Sequence, residues 1–392
     1  MKSYNGLFDA MIEQTEAEAA IIEAAKRKRG RPVVARTITD ARRKKKAKAV
    51  TARLVHGTWR PPKHPTHTLK EGSHKKTREI QKPRWDDEQI VHHMLMRQFR
   101  KIVFQKLYRY ACGSLPDRGP HFVMKTIRRW RDGYKGKKFY VAELDIRKFY
   151  DTIDTAILEE MLVRLIRDKR YLRILFLVID TGAPGLPKGF YTSPWLSHFY
   201  LMAFDYFVVQ TLKPDHYIRL VDNMWLFSTN KKRLHGMVRE IEAYLSEKLH
   251  LHIKDDWQVF RFEGVSRKTG CVTGRAINAV GFVVHRDRVT LRKSILKRAR
   301  AKANRMKRKR QTTRKDAGAI ISYMGYFTHT DTYGYYLRWI KPKVSVQYCK
   351  RRISAIAKKA LKGEKKNDSM ENRTRGPGAG DAGQDQQQLR GL

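Results

Sequence analysis

The sequence predicts an α+β fold, with short strands in an antiparallel sheet and helices set between them. Three observations point there. Between residues 139 and 285, short β-rich runs alternate with helical ones and are joined by tight turns. The alternation follows no regular βαβ repeat, which disfavours a Rossmann-type parallel sheet. No G-x-x-x-x-G-K-S/T occurs, and the one G-x-G-x-x-G, Gly378 to Gly383, lies in the aperiodic stretch after Gly363 with no strand before it, so a Gly-rich nucleotide loop has no support. The 392 residues, 41% hydrophobic and 10% aromatic, suffice for two or three domains with a sizeable core.

Residues 1 to about 60 read as helical and increasingly basic, from EAEAAIIEAAKRKRGRP to ARRKKKAKAVTARLV. They end at the breaker WRPPKHP, Trp59 to Pro65. Within them Arg29-Gly30-Arg31-Pro32 resembles an AT-hook core, although a solvated basic linker is the plainer reading. Residues 85 to 110 carry Ile90, Met94, Phe99, Ile102, Val103 and Leu107 at helical spacing. KFYVAELDI reads as a strand and AILEEMLVRLIRD as an amphipathic helix. SPWLSHFYLMAFDYFVVQTL reads as one long apolar helix, with Ser193 as N-cap and Pro194 at the first helical position. HYIRLVDNMWLFST is strand, turn, strand, with Asp222-Asn223 favourable as a two-residue turn, and INAVGFVVHRDRVTL is a second hairpin.

Between Arg288 and Lys315 there are 14 Lys and Arg and no acidic residue. Ala299, Ala301 and Ala303 favour a helix there with basic residues on all sides, stable beside a polyanion. The stretch after Gly363 is rich in Gly, Gln and Asp, lacks periodicity and is predicted to be disordered.

With 84 Lys+Arg against 38 Asp+Glu the formal net charge is +46. That charge points to a polyanion, nucleic acid first and an anionic membrane surface second. The membrane reading rests on charge alone and loses to the aromatic-rich middle. No run approaches 18 apolar residues and no signal-peptide core opens the chain. Cys112, Cys271 and Cys349 are far apart and include no C-x-x-C, so a disulfide scaffold or zinc ribbon is excluded and a reducing cytoplasm fits.

Two aspartates carry the chemistry. Asp145 lies in YVAELDIRKFYDTI and Asp222 in YIRLVDNMWLF, each at the edge of an apolar strand. Singly, each reads as a strand end or a turn. If the two strands are neighbours, both carboxylates emerge at one end of a sheet, as Mg²⁺-dependent phosphoryl transfer requires. Between them runs GAPGLPKGFYTSPWLSHFYL, where Pro187-Lys188-Gly189 lets the backbone pass close to a bound ligand.

In this order the motifs resemble the reverse transcriptase family, most closely the small bacterial and phage enzymes of the diversity-generating retroelement type, from about Trp85 to Trp339. DIRKFYDTI looks like motif A, with Asp145 as metal ligand and Tyr150 as the aromatic that excludes a 2′-hydroxyl. LPKGFYTSP is similar to motif B, with Gly189 as its glycine. LVDN is similar to the Y-x-D-D hairpin of motif C, and LHLHIKDDWQVF to motif D, making Lys254 the candidate acid for departing pyrophosphate. VGFVVHRDRVTLRK looks like the primer-grip hairpin, and ISYMGYFTHTDTYGYYLRW like a thumb ending.

The resemblance implies a right hand of fingers, palm with antiparallel sheet and helical thumb. Its parts would be a basic extension (1–70), fingers and palm (71–290), a basic thumb (291–362) and a tail (363–392). It implies an RNA-directed DNA polymerase using Mg²⁺, with Mn²⁺ as alternative, an RNA template, a DNA or RNA primer, dNTPs and a small accessory protein. Asp145, Asp222, Asn223 and Lys254 would be catalytic, and Asp145 and Asp222 the metal ligands. Ile146, Tyr150, Lys188 and Gly189 would meet the nucleotide. Arg292, Lys293, Lys297, Arg300, Lys307, Arg308, Lys309 and Arg310 would meet nucleic acid.

The sequence departs from the family at four places. Asn223 replaces the second motif C aspartate, and Lys188 stands where motif B has Gln or an aliphatic residue. Glu88-Gln89 replaces Asp-Arg before the fingers helix, and Ser193-Pro194 replaces Ser-Gln. The competing reading is a reverse-transcriptase-like scaffold that binds nucleic acid without catalysis, in a retroelement or in phage defence.

Overall fold

The computed structural model describes residues 3–357 except 27, 30, 72–75, 86, 135 and 267. The predicted tail and Gly30 of the AT-hook-like run lie outside the described residues. Four helices come first: α1 (Leu7–Ile12), α2 (Gln14–Ala24), α3 (Pro32–Thr37) and α4 (Asp40–Val55). A ribbon of β1 (Thr66–Glu71) and β2 (Lys76–Gln81) leads to the long α5 (Asp87–Val103). The middle of the chain runs β3 (Ala111–Cys112), α6 (Pro120–Gly133), β4 (Tyr140–Asp145), α7 (Phe149–Thr152), α8 (Thr155–Leu165), α9 (Lys169–Ile179), α10 (Thr192–Tyr200), α11 (Met202–Phe207), β5 (His216–Leu220), β6 (Asn223–Ser228), α12 (Lys231–Leu249) and β7 (Gln258–Arg261). It ends with the hairpin β8 (Gly264–Val265) and β9 (Val272–Thr273), the meander β10 (Ile277–Ala279), β11 (Phe282–Val284) and β12 (Val289–Leu291), and the helices α13 (Lys293–Arg308), α14 (Arg314–Phe327) and α15 (Tyr333–Trp339).

The central sheet has the order β3-β5-β6-β4-β7, antiparallel throughout except for the short β3–β5 pair. Strand alternation sends side chains to two cores. Ala142, Leu144, Met224 and Leu226 join α8, α10 and α12 on one face, where Leu158, Leu196 and Ile241 are buried. Val141, Ile218, Trp225 and Phe227 join α6 and β11 on the other, with Val123, Ile127 and Phe282. The fold is therefore α+β, as predicted: helices on both faces of a mostly antiparallel sheet. Among the described residues, no helix is long and apolar enough to cross a membrane.

The first helices do not form a body of their own. Phe8, Met11, Ile21, Val50 and Leu54 share one core with Ile90, Met94 and Phe99 of α5. Arg97 and Arg100 of α5 both grip Glu23 of α2, at 3.0 and 2.7 Å.

Four local expectations are corrected. The long apolar helix breaks after Tyr200, and α11 passes into a π turn over Val208–Leu212. The break brings Asp205 inward beneath the sheet, where it is fully buried. Ser193 does not cap α10, which begins at Thr192; its hydroxyl donates instead to the Pro187 carbonyl at 2.7 Å. The second hairpin is a three-stranded meander. Finally, α13 is not basic all round, because Ile295, Ala299, Ala303 and Met306 make a buried stripe along it.

Candidate active site

The sheet sets the two aspartates side by side. β4 and β6 pair in a register that puts Asp145 opposite Asn223, the first residue after the β5–β6 turn. That turn is Val221-Asp222, since Leu220 pairs with Asn223, and not the Asp222-Asn223 turn read from the sequence. Val221 takes φ +58, a left-handed conformation costly for a β-branched residue.

The surroundings hold Val221 there. Its N–H donates to the Cys112 carbonyl at 2.9 Å, and its carbonyl accepts from Arg219 Nη1 at 2.8 Å. Its side chain packs on Gly113, where a Cβ would come within 2.5 Å of Val221 Cγ2. Arg219 is fully buried and in turn held by Asp205: Nε donates to Oδ1 at 2.8 Å, and Nη2 lies 2.5 Å from Oδ2. Tyr217 also donates to Asp205 Oδ1, at 2.9 Å. The sequence reading missed Asp205 and Arg219. Their signal was a lone acid in LMAFDYFVV and a lone base in YIRLV, charges that such apolar runs retain only when paired.

Around the two carboxylates the backbone is stitched tightly. Ile146 N–H donates to the Asp222 carbonyl at 3.1 Å, and Lys254 N–H to the Asp145 carbonyl at 2.8 Å. Lys254 Nζ lies 2.6 Å from Asp145 Oδ1. Asn223 Nδ2 donates to Asp222 Oδ1 at 3.0 Å. Burial first, then the Asp145 charge, raises the Asp222 carboxyl above its ordinary range, while Asn223 and Lys254 pull it back.

This donor set fits a hard divalent cation. Two carboxylates repel each other across the β5–β6 turn, and Mg²⁺ takes one or two protein carboxylates and completes its shell from phosphate and water. Among the described residues, no group of three or more His, Cys, Asp or Glu could hold a metal ion.

The remaining predicted residues fall in different places. Tyr150 is half-buried at the start of α7, near enough to Asp222 to feel its charge, and burial raises its phenol pKa. Ile146 is fully buried and bridges Ile253, so its side chain belongs to the core and does not line the site. Lys188 Nζ donates to Asp151 Oδ2 at 2.6 Å. Gly189 does allow a close approach, but the approaching group is the chain's own β2. At φ +109 a Cβ would come within 2.4 Å of the Gln81 carbonyl, and Gln81 N–H donates to Lys188 O at 3.0 Å. Glu88 is buried with His64 Nε2 at 2.5 Å, and Gln89 bridges Lys28 and the Pro83 carbonyl.

On α13 and just beyond it, Lys293, Lys297, Lys307, Arg308 and Arg310 are exposed. Three other predicted contacts are engaged within the fold. Arg292 bonds Asn278, the Arg300 guanidinium sits 3.8 Å over the Trp339 ring, and Lys309 pairs with Asp316 at 2.7 Å.

No family model matches the chain. The Escherichia coli (strain K12) protein YkfC is 26% identical over 132 residues, 31% of this chain and 35% of that protein. The chain thus aligns with about a third of that relative's length. Among solved structures, telomerase from Candida albicans, complexed with a telomeric RNA fragment, aligns with 72% of this chain and 55% of its own, at 12% identity and TM-score 0.43. Apo telomerase from Candida tropicalis aligns with 77% of this chain and 61% of its own, at 10% identity and TM-score 0.43.

Proposed function

We propose that the chain is an RNA-directed DNA polymerase of a bacterial or phage retroelement, acting in the cytoplasm. The observation that carries this reading is the pairing of β4 with β6, which sets Asp145 opposite Asn223 and beside Asp222 of the Val221-Asp222 turn, with Lys254 on Asp145. The reaction is attack by a primer 3′-hydroxyl on the α-phosphate of a dNTP, releasing pyrophosphate.

Asp145 and Asp222 would hold Mg²⁺ or Mn²⁺, which supplies charge neutralisation at the phosphates and a lowered pKa for the attacking hydroxyl. Lys254 holds a proton at Nζ beside Asp145 and delivers it to the leaving group. Tyr150 packs beneath the sugar and excludes a 2′-hydroxyl. Residues 71–290 would form fingers and palm and 291–362 the thumb, with 1–70 a basic extension and a small accessory protein as partner.

A second reading, a non-catalytic nucleic-acid scaffold, is favoured by the internal engagement of both carboxylates, by Lys254 and by Asn223. Metal-dependent dNTP incorporation on a primed RNA template separates the two. Incorporation that is abolished by Asp145→Ala supports the polymerase. No incorporation with Mg²⁺ or Mn²⁺ on any primed template leaves the scaffold. Because Asn gives one neutral oxygen where Asp would give a charged one, Mn²⁺ should support a higher rate than Mg²⁺, and Asn223→Asp should raise the Mg²⁺ rate.

A further inference from the structure

A second cationic surface lies at the end of the sheet remote from the carboxylates. β4 begins there at Tyr140, paired with Ser228 on β6 and Arg261 on β7. Asp145 lies at the other end of the strand, about 17 Å away at the rise of an extended chain. Lys137, Lys138, Arg261 and Arg286 line a groove of about 500 Å³ at this remote end. It shares both lysines and Arg261 with an adjoining hollow of about 720 Å³, to which Ser266 and Thr273 contribute.

The acids of the groove are already occupied. Asp132 takes the Arg131 guanidinium at 2.6 Å, and Glu263 accepts the Arg286 N–H at 3.0 Å and faces the His285 ring at 3.0 Å. Lys137, Lys138 and Arg286 are exposed. Four cations with hydroxyl-bearing neighbours form a set suited to phosphate oxygens. Protein interfaces, by contrast, are depleted in lysine and centred on buried aromatic anchors.

We propose that this groove binds the phosphodiester backbone of a nucleic-acid strand outside the cleft that holds Asp145 and Asp222. The site goes beyond the polymerase reading and needs neither carboxylate. It gives the chain a second hold on nucleic acid, at the far end of the sheet.

The test is fluorescence anisotropy with a long single-stranded RNA and a DNA of the same sequence, from about 50 to 200 mM salt. It is run in an Asp145→Ala background, so that failure of the polymerase reading and failure of this one are seen separately. Lys137→Gln with Lys138→Gln, both on exposed positions, should flatten the slope of log affinity against log salt by roughly 1–2. Adding Arg261→Gln and Arg286→Gln should flatten it by roughly 2–3 in all. Equal losses for RNA and DNA support backbone binding, and a loss confined to RNA supports the groove with the 2′-hydroxyl as an added contact. If the double variant keeps the wild-type slope, the proposal fails whatever the quadruple variant does. It fails equally if nucleic-acid binding stays fixed while capture of an acidic polypeptide is lost.

Discussion

Asp222 shows how a single residue is held against its own preference. Its carboxyl is raised by burial and by Asp145, so ionising it costs free energy in the folded chain. The cost is full above its folded pKa, where both folded and unfolded forms are ionised, and vanishes below the ordinary carboxylate range, where both are protonated. Asp222→Asn should therefore raise the thermal midpoint at pH 7, and the gain should fade as pH falls; equal gains at pH 7 and pH 3 would contradict this. Arg219 makes the opposite case. Arg219→Met strands the buried Asp205 carboxylate and should cost about 3–5 kcal/mol in urea unfolding. The double variant Asp205→Leu, Arg219→Met should recover most of that stability, while still leaving the Val221 carbonyl without its donor.

At the scale of elements, two joints are fixed by close contacts. The loop before α10 is wedged against β2 at Gly189 and against the start of α7 at Gly185, where a Cβ would come within 2.1 Å of the Tyr150 carbonyl. Both glycines have positive φ, so Gly185→Ala or Gly189→Ala should each cost about 2–4 kcal/mol, read from chemical denaturation. The second joint is Asp316, buried beneath Lys302 and Lys309, whose hydrogen bonds hold its carboxyl well below the usual range. A depressed carboxyl stabilises above its unfolded pKa and loses that contribution as pH falls through the folded value. Asp316→Asn should therefore speed hydrogen exchange in α13 and α14 at pH 7, with little difference from wild type at very low pH.

The sequence made some of these elements legible and hid others. β4, α8 and the β5–β6 hairpin could be read because their alternation and periodicity are local properties. The π turn after α11, the position of the Val221-Asp222 turn and the role of Ser193 could not: Val221 is held by Cys112, far earlier in the chain, and Ser193 by the Pro187 carbonyl in the loop before its helix, contacts that local periodicity does not carry. The two aspartates were visible as polar residues at strand ends, whereas Lys188 paired with Asp151 depends on how two loops meet.

Over the whole molecule, the excess charge divides into cations used internally and cations left for a partner. Glu23, Asp87 and Asp316 each neutralise two or more bases, which ties the N-terminal helices to α5 and α13 to α14. The exposed set on α13 and just beyond it is one of the cationic surfaces left for the nucleic acid we propose as partner. Replacing Lys293, Lys297, Lys307, Arg308 and Arg310 by Gln should flatten the salt dependence of RNA binding by roughly 0.7–0.9 for each phosphate no longer neutralised, leaving the melting temperature in place. An unchanged slope would mark the run as a solvated surface.

The shared core of the first four helices and α5 also bears on synthesis. The ribosome finishes α4 at Val55 and must still deliver the chain to Val103 before the apolar faces of Met11, Ile21 and Leu54 find their cover. At translation speeds of about 5–20 residues per second, that wait lasts roughly 2–10 s. Throughout it, a strongly basic segment with an open apolar stripe stands beside the ribosome's own RNA, making early nascent-chain association a constraint on how this protein can be produced.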